Sequence, residues 1–156
     1  MLKKAFIPGP EKVHEVPDDL LGPKIRNLLM LEDDVDTACL LKEYLETANF
    51  KVTIVPSGVE GLKHIMATSF DAILCDMLMP NLPGDMFYLA VQRIKPELCK
   101  RFIFMTGHSA DPKWDAFVRK VGGVMLFKPF EMQMLTAAIE RTIEKAEKAE
   151  APEVVI

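Results

Sequence analysis

The chain has little with which to staple, anchor or wrap itself around an acid polymer. Among its 156 residues only Cys39, Cys75 and Cys99 are cysteines. They are scattered, without the spacing of a metal-ligand set, and read as reduced thiols that fill small apolar gaps in a cytoplasmic protein. No apolar run approaches the length of a membrane-spanning helix. The opening MLKKAFIPGPEK has a basic start but no apolar core of signal-peptide length, so neither membrane nor export is implied. Positive charge is in deficit: 19 Lys and Arg face 23 Asp and Glu, for a net charge of -4. A direct nucleic-acid partner needs a clustered excess of Lys and Arg, which is missing. There is no internal repeat. The length suits one domain with one sizeable core.

What is present is regular. Residues 1–25 carry Pro8, Pro10, Pro17 and Pro23 without periodicity and read as a flexible N-terminal extension or linker. A domain is expected over 26–150, with 151–156 as a C-terminal tail. LLML (28–31) is an apolar run closed by Glu32, Asp33 and Asp34. Val35, Ala38, Leu41, Leu45 and Ala48 then recur at helical spacing, with Asn49 as a cap. VTIV (52–55) is a strand. Ser57 and Glu60 form an S-x-x-E capping box before a helix facing inward through Leu62, Ile65 and Met66. AILC (72–75) is the third strand. Phe87, Ala90, Val91 and Ile94 make a helical stripe stopped by Pro96. FIFM (102–105) is the fourth strand. Asp111 and Pro112 open a helix through Trp114, Phe117, Val118 and Val121 that Gly122 ends. VMLF (124–127) is the fifth strand. Leu135, Ile139, Ile143 and Ala146 line a last helix, with Glu144 and Lys148 as an i, i+4 pair and residues 144–151 as its fraying end.

Strand and helix thus alternate five times, and the strands are apolar runs rather than alternating ones. Both sheet faces should be covered, which describes an α/β protein: a doubly wound, five-stranded parallel sheet with right-handed crossovers. Ligands of such sheets bind outside the carboxyl ends of the strands, where strand order reverses.

Polar residues collect at that edge. The first strand ends in Glu32, Asp33 and Asp34, the third in Asp76, the fourth in Thr106, Gly107 and His108, and the fifth in Lys128 and Pro129. Crowded carboxylates repel, and one can be forced to hold a proton. Oxygen-only ligands that keep several waters suit Mg²⁺. A lysine and a hydroxyl beside such an ion suit a phosphoryl group, whose transfer rests on positioning and charge stabilisation. A rigid strand fixes Asp76, the crevice exposes it, and a carboxylate there can attack phosphorus to give an aspartyl phosphate. Pro80, Pro83 and Gly84 turn the chain so that a carbonyl, that of Leu78, can face the metal. Asp34 and Asp36 read as helix caps.

MLEDD (30–34), CDMLMP (75–80) with Gly84, FMTG (104–107) and FKPF (127–130) resemble the receiver domain of two-component response regulators, CheY-like, over about residues 26–146. Each motif alone is weak; four in order at matching strand ends are specific. The resemblance implies a flavodoxin-like (βα)5 fold with strand order 2-1-3-4-5. It implies that Asp76 is the phosphoacceptor, receiving its phosphoryl group from a phosphohistidine on a histidine kinase or phosphotransfer protein. It implies Mg²⁺ (or Mn²⁺) held by Asp33, Asp76 and the Leu78 carbonyl, with Glu32 acting through water. Thr106, with Gly107 beside it, would bind a phosphoryl oxygen and move on activation. Lys128, joined to Pro129 by a cis bond, would pair with the acceptor and then the phosphate.

There are two departures from the family pattern. Met125, three before Lys128, stands where Tyr or Phe is common, which puts the threonine–aromatic coupling in question. Leu78 and His108 occupy the positions that tune phosphate lifetime: Leu78 offers no group to orient water, and His108 is either a water-orienting or a solvated loop histidine. The reading is of a signalling switch, not a dedicated enzyme, that changes a partner-binding surface and exists as a monomer or weak dimer. It is either a stand-alone regulator or a receiver from a hybrid kinase. The alternatives are a receiver-like module that binds without phosphate, favoured only by Met125, and an aspartate-nucleophile phosphatase, which needs a second Asp where Leu78 stands.

Overall fold

A computed structural model describes residue 20, residues 22–107 and residues 111–152. Most of the expected 1–25 extension, His108 and the end of the 151–156 tail lie outside the described residues. Five strands, β1 (Arg26–Leu31), β2 (Phe50–Val55), β3 (Ala72–Asp76), β4 (Phe102–Thr106) and β5 (Val124–Phe127), alternate with five helices. The helices are α1 (Val35–Thr47), α2 (Gly58–Ala67), α3 (Gly84–Ile94), α4 (Pro112–Val121) and α5 (Met132–Glu150). The strands form one parallel sheet in the order β2-β1-β3-β4-β5, as expected.

The inner strands are apolar runs because each feeds two cores by turns. Leu29, Leu31, Ile73, Cys75, Phe102 and Phe104 pack toward Ile65, Phe87, Val91 and Val118 of α2, α3 and α4. Their neighbours Leu28, Met30, Ala72, Leu74, Ile103 and Met105 pack toward Leu41, Leu45, Leu135 and Ile139 of α1 and α5. The period of two therefore places apolar side chains on both faces. Residues 28–31 and 72–75 are fully buried. Each large apolar side chain so placed contributes about 1.5–3 kcal/mol relative to exposure.

Local signals account for most of the ends. Asp34 accepts from the Thr37 N–H at 2.9 Å and Asp111 from the Lys113 N–H at 3.0 Å, each as an N-cap. Gly122 closes α4 at φ 67, a left-handed backbone that glycine adopts without a Cβ clash. Only half of the capping box forms: Ser57 Oγ accepts from the Glu60 N–H, but the Glu60 carboxylate turns to Lys63.

Several expectations are corrected. The helical stripes would turn Val35, Met66 and Ile94 inward, yet all three are exposed. Met66 follows fully buried Ile65, and neighbours on a helix cannot both face the sheet; Val35 and Ile94 are the end residues of their helices. The fifth strand is not covered on both faces, since Val124 and Phe127 are exposed at the sheet edge. A 3-10 helix over Pro96–Arg101, which no sequence signal announces, leads into β4. The end of α5 does not fray. Glu147 is bound by the Arg26 guanidinium and Glu150 by Arg101 at 2.7 Å, while Arg101 also donates to the Asp71 carbonyl at 2.8 Å. Both arginines are remote in sequence, so no local pattern reveals them. Cys39 is exposed and fills no gap; Cys75 is the buried filler expected.

Candidate functional site

Asp76 is the last residue of β3 and is 6% exposed. Its Oδ2 accepts from Lys128 Nζ at 2.8 Å and its Oδ1 from the Leu78 backbone N–H at 2.8 Å. Lys128, just beyond β5, also donates to Glu32 Oε2 at 2.5 Å. Glu32 continues the ladder of β1 by donating its N–H to the Val55 carbonyl, which turns its side chain inward, and its Oε1 accepts from the Asp34 N–H at 3.2 Å. Asp33, one step on, is exposed. Glu32, Asp33 and Asp76 nonetheless each offer a carboxylate oxygen within 4.8 Å of the others.

Three carboxylates thus face one ammonium. Burial pushes the Glu32 carboxyl above its ordinary value; the Lys128 hydrogen bond pulls it back and the Asp76 charge adds to the rise. For Lys128 burial works against the charged form, but the hydrogen bonds and charges of Asp76 and Glu32 outweigh it and leave the amine above its ordinary value. Hard oxygen donors this close, with one counter-charge among three, fit a hard divalent cation.

The loop after Asp76 is fixed by close approach. Met77 donates its N–H to the Met105 carbonyl and Gly84 to the Met77 carbonyl. A Cβ on Gly84 would lie 2.8 Å from the Asp76 carbonyl oxygen and 2.9 Å from Met77 Cα, so only glycine lets α3 start against the strand tip.

Thr106 ends β4, buried, and its carbonyl accepts from the Lys128 N–H at 2.8 Å. Gly107 is exposed, with open space where a Cβ would point. The Lys128–Pro129 peptide is cis. Met125 is half-buried, opposite Phe104 in the β4–β5 register, and packs on the α2–α3–α4 core. Leu78 has an exposed side chain and contributes its N–H to Asp76. His108 lies outside the described residues. The motifs pair Lys128 with the acceptor alone; its bond to Glu32 is not foreseen, because a run of three acids does not say which one the strand turns inward.

A parallel doubly wound sheet that gathers carboxylates and a lysine beside its strand-order reversal defines a class of α/β domain with an acid pocket at the carboxyl edge. The chain belongs to the response regulator receiver domain family, whose family model matches residues 28–140. It is similar to the response regulator receiver protein CpdR of Brucella abortus, 29% identical over 122 residues that cover 76% of this chain and 98% of that protein. It is also similar to the transcriptional regulatory protein GlrR of Escherichia coli, 28% identical over 131 residues. That match takes 83% of this chain but 29% of GlrR, so the chain spans less than a third of that relative. Among solved structures, a CheY-like receiver domain protein from Methanospirillum hungatei shares the fold with a TM-score of 0.74. It is 24% identical, over 81% of this chain and 99% of that one. The receiver domain of a signal transduction histidine kinase from Syntrophus aciditrophicus does so at 0.69, with 23% identity over 84% and 97% of the two chains. Among the described residues no helix is long and apolar enough to cross a membrane.

Proposed function

We propose that this receiver domain is a phosphorylation switch whose acceptor is Asp76, with the functional domain spanning 26–150. The observation that carries the reading is the setting of that carboxylate: at a rigid strand tip, held by Lys128 on one oxygen and the Leu78 N–H on the other, with Glu32 and Asp33 beside it. In the transfer, an Asp76 oxygen attacks the phosphorus of a phosphohistidine on a histidine kinase or phosphotransfer protein. The O–P bond forms as the N–P bond breaks, and the imidazole nitrogen leaves with the bonding electrons.

The residues that would hold Mg²⁺ or Mn²⁺ are Asp33, Asp76 and the Leu78 carbonyl, with Glu32 through water. When bound, the ion neutralises phosphoryl oxygens and screens the carboxylates from the incoming anion. Lys128 is placed to pass from carboxylate to phosphate. Thr106, with Gly107 beside it, would bind a phosphoryl oxygen and move on activation. The switch acts by biasing two existing conformations and so altering a protein-binding surface. Met125 is a flexible residue in the switch position, which favours a weaker coupling of that surface to Thr106 rather than loss of phosphorylation. The domain works in the cytoplasm, as a non-enzymatic partner of its kinase and of a target protein, monomeric or weakly dimeric.

The test is intact mass after incubation with acetyl phosphate and Mg²⁺, with Asp76→Ala alongside. One added phosphoryl group that needs Mg²⁺ and is absent in the variant is the expected result. If no adduct forms, and beryllofluoride, a stable phosphoryl mimic, leaves the amide spectrum unchanged, the chain acts by binding alone.

A further inference from the structure

A second cleft lies at the opposite end of the sheet, with a volume of about 400 Å³. Its floor and walls come from Tyr88 of α3, Phe102 and Val124 at the starts of β4 and β5, and Ala146 of α5. Thr142, Cys99, Lys100 and Lys145 supply its polar groups. We propose that this cleft binds a small carboxylate with an apolar body, independently of the site at Asp76.

Three features set the ligand chemistry. The apolar body follows from the walls: Tyr88 and Phe102 pack edge to face at 5.0 Å, and both line the cleft. The volume holds one ring and a short chain, at the small end of the range for ligand pockets. The negative charge follows from the rim. Lys100 and Lys145 are exposed, neither forms an ion pair among the described residues, and no carboxylate lines the cleft.

The polar anchor is Thr142. It is only 7% exposed. A helical threonine usually returns its hydroxyl to a carbonyl of the preceding turn, as Thr136 does to Met132 and Gln133. Thr142 makes no such bond to a described residue, and no enclosed side-chain polar atom among the described residues lacks a partner, so its hydroxyl opens onto the cleft. Tyr88 and Cys99 also line the cleft. The cleft thus joins a hydroxyl that opens into it from a largely buried threonine, apolar walls, and a rim of two lysines without ion-pair partners among the described residues. An oxyanion on an apolar body meets all three.

The test uses 4-phenylbutyrate as probe, titrated to about 10 mM into the full ¹⁵N-labelled chain at fixed ionic strength, a range that captures dissociation constants on the order of millimolar. Saturable amide shifts are expected at Cys99, Gly123, Val124 and Thr142. Thr142→Val, nearly isosteric, and the surface double variant Lys100→Gln/Lys145→Gln should each weaken binding several-fold, and 4-phenylbutan-1-ol should bind several-fold more weakly than the acid. Absence of saturable shifts at those amides overturns the proposal. So does equal binding of the alcohol, or binding unchanged in the double variant, which is exposed and leaves the fold intact if Thr142→Val does not.

Discussion

The two ends of the sheet use charge in opposite ways. At the carboxyl end, Glu32, Asp33 and Asp76 gather around Lys128, which bonds two of them. At the amino end, Arg26 and Arg101 meet Asp71, Glu147 and Glu150 in a nearly balanced set. The amino-end pairs close the fold: they tie the last turns of α5 to the start of β1 and to the lead-in of β4. The carboxyl-end cluster is unbalanced and partly buried, an arrangement that disfavours the empty site and favours whatever brings positive charge. The ion pairs that close the fold and the acid cluster that calls for a cation are thus kept at opposite ends of the same strands.

Removing the cation at the centre of the carboxyl-end cluster should break that contrast most severely. Lys128→Met would take from Glu32 and Asp76 the counter-charge they share. A loss of about 2–3 kcal/mol is expected, below the full cost of breaking a buried pair because Lys128 keeps some solvent contact. In a thermal melt that is roughly a 5–10 °C drop for a domain of this size, and added Mg²⁺ should recover part of it. A variant that melts with the parent would mean the cluster is not self-repelling.

The same imbalance predicts the reverse sign at Asp33. Asp33 is exposed and offers its oxygen to the other two carboxylates. Asp33→Asn should therefore raise metal-free stability by about 0.5–1 kcal/mol, as relief of like charges at a functional site does, while the stabilisation given by Mg²⁺ is lost. Paired melts with and without Mg²⁺ check both halves, and a less stable metal-free variant would sink the repulsion argument.

These two residues also show why the sequence discloses one end of the sheet and not the other. Asp76, Thr106 and Lys128 each close an apolar run, so their edge follows from strand direction alone, as do the five strands and the two covered faces of the inner ones. The sheet order comes from resemblance, because alternation of strand and helix does not choose among doubly wound orders. The choice of Glu32 as Lys128's second partner depends on the last ladder bond of β1, which no residue pattern records. At the amino end the partners sit on elements far apart in the chain, and Arg26, Arg101 and Glu147 look like ordinary surface charges until α5 is docked. The exposure of Val124 and Phe127 follows from the edge position of β5, which apolar content cannot reveal.

The smallest expected effect sharpens the comparison through pH. The Arg26 hydrogen bonds, helped by its charge, hold the Glu147 carboxyl below its ordinary value of 4.5, against a smaller opposing effect of burial. A carboxyl lowered in the folded state stabilises the fold above its unfolded value and loses that contribution as pH falls through the folded one. Glu147 is half exposed, so solvent screening limits the contribution to about 0.5 kcal/mol. Glu147→Gln should therefore be slightly less stable than the parent near pH 7, and the two stability curves should converge as the pH drops below about 4.5. Urea melts of both proteins between neutral and acid pH measure the gap. A gap that persists unchanged into acid would assign the contact to shape and hydrogen bonding alone, and the amino end would then hold α5 without using charge.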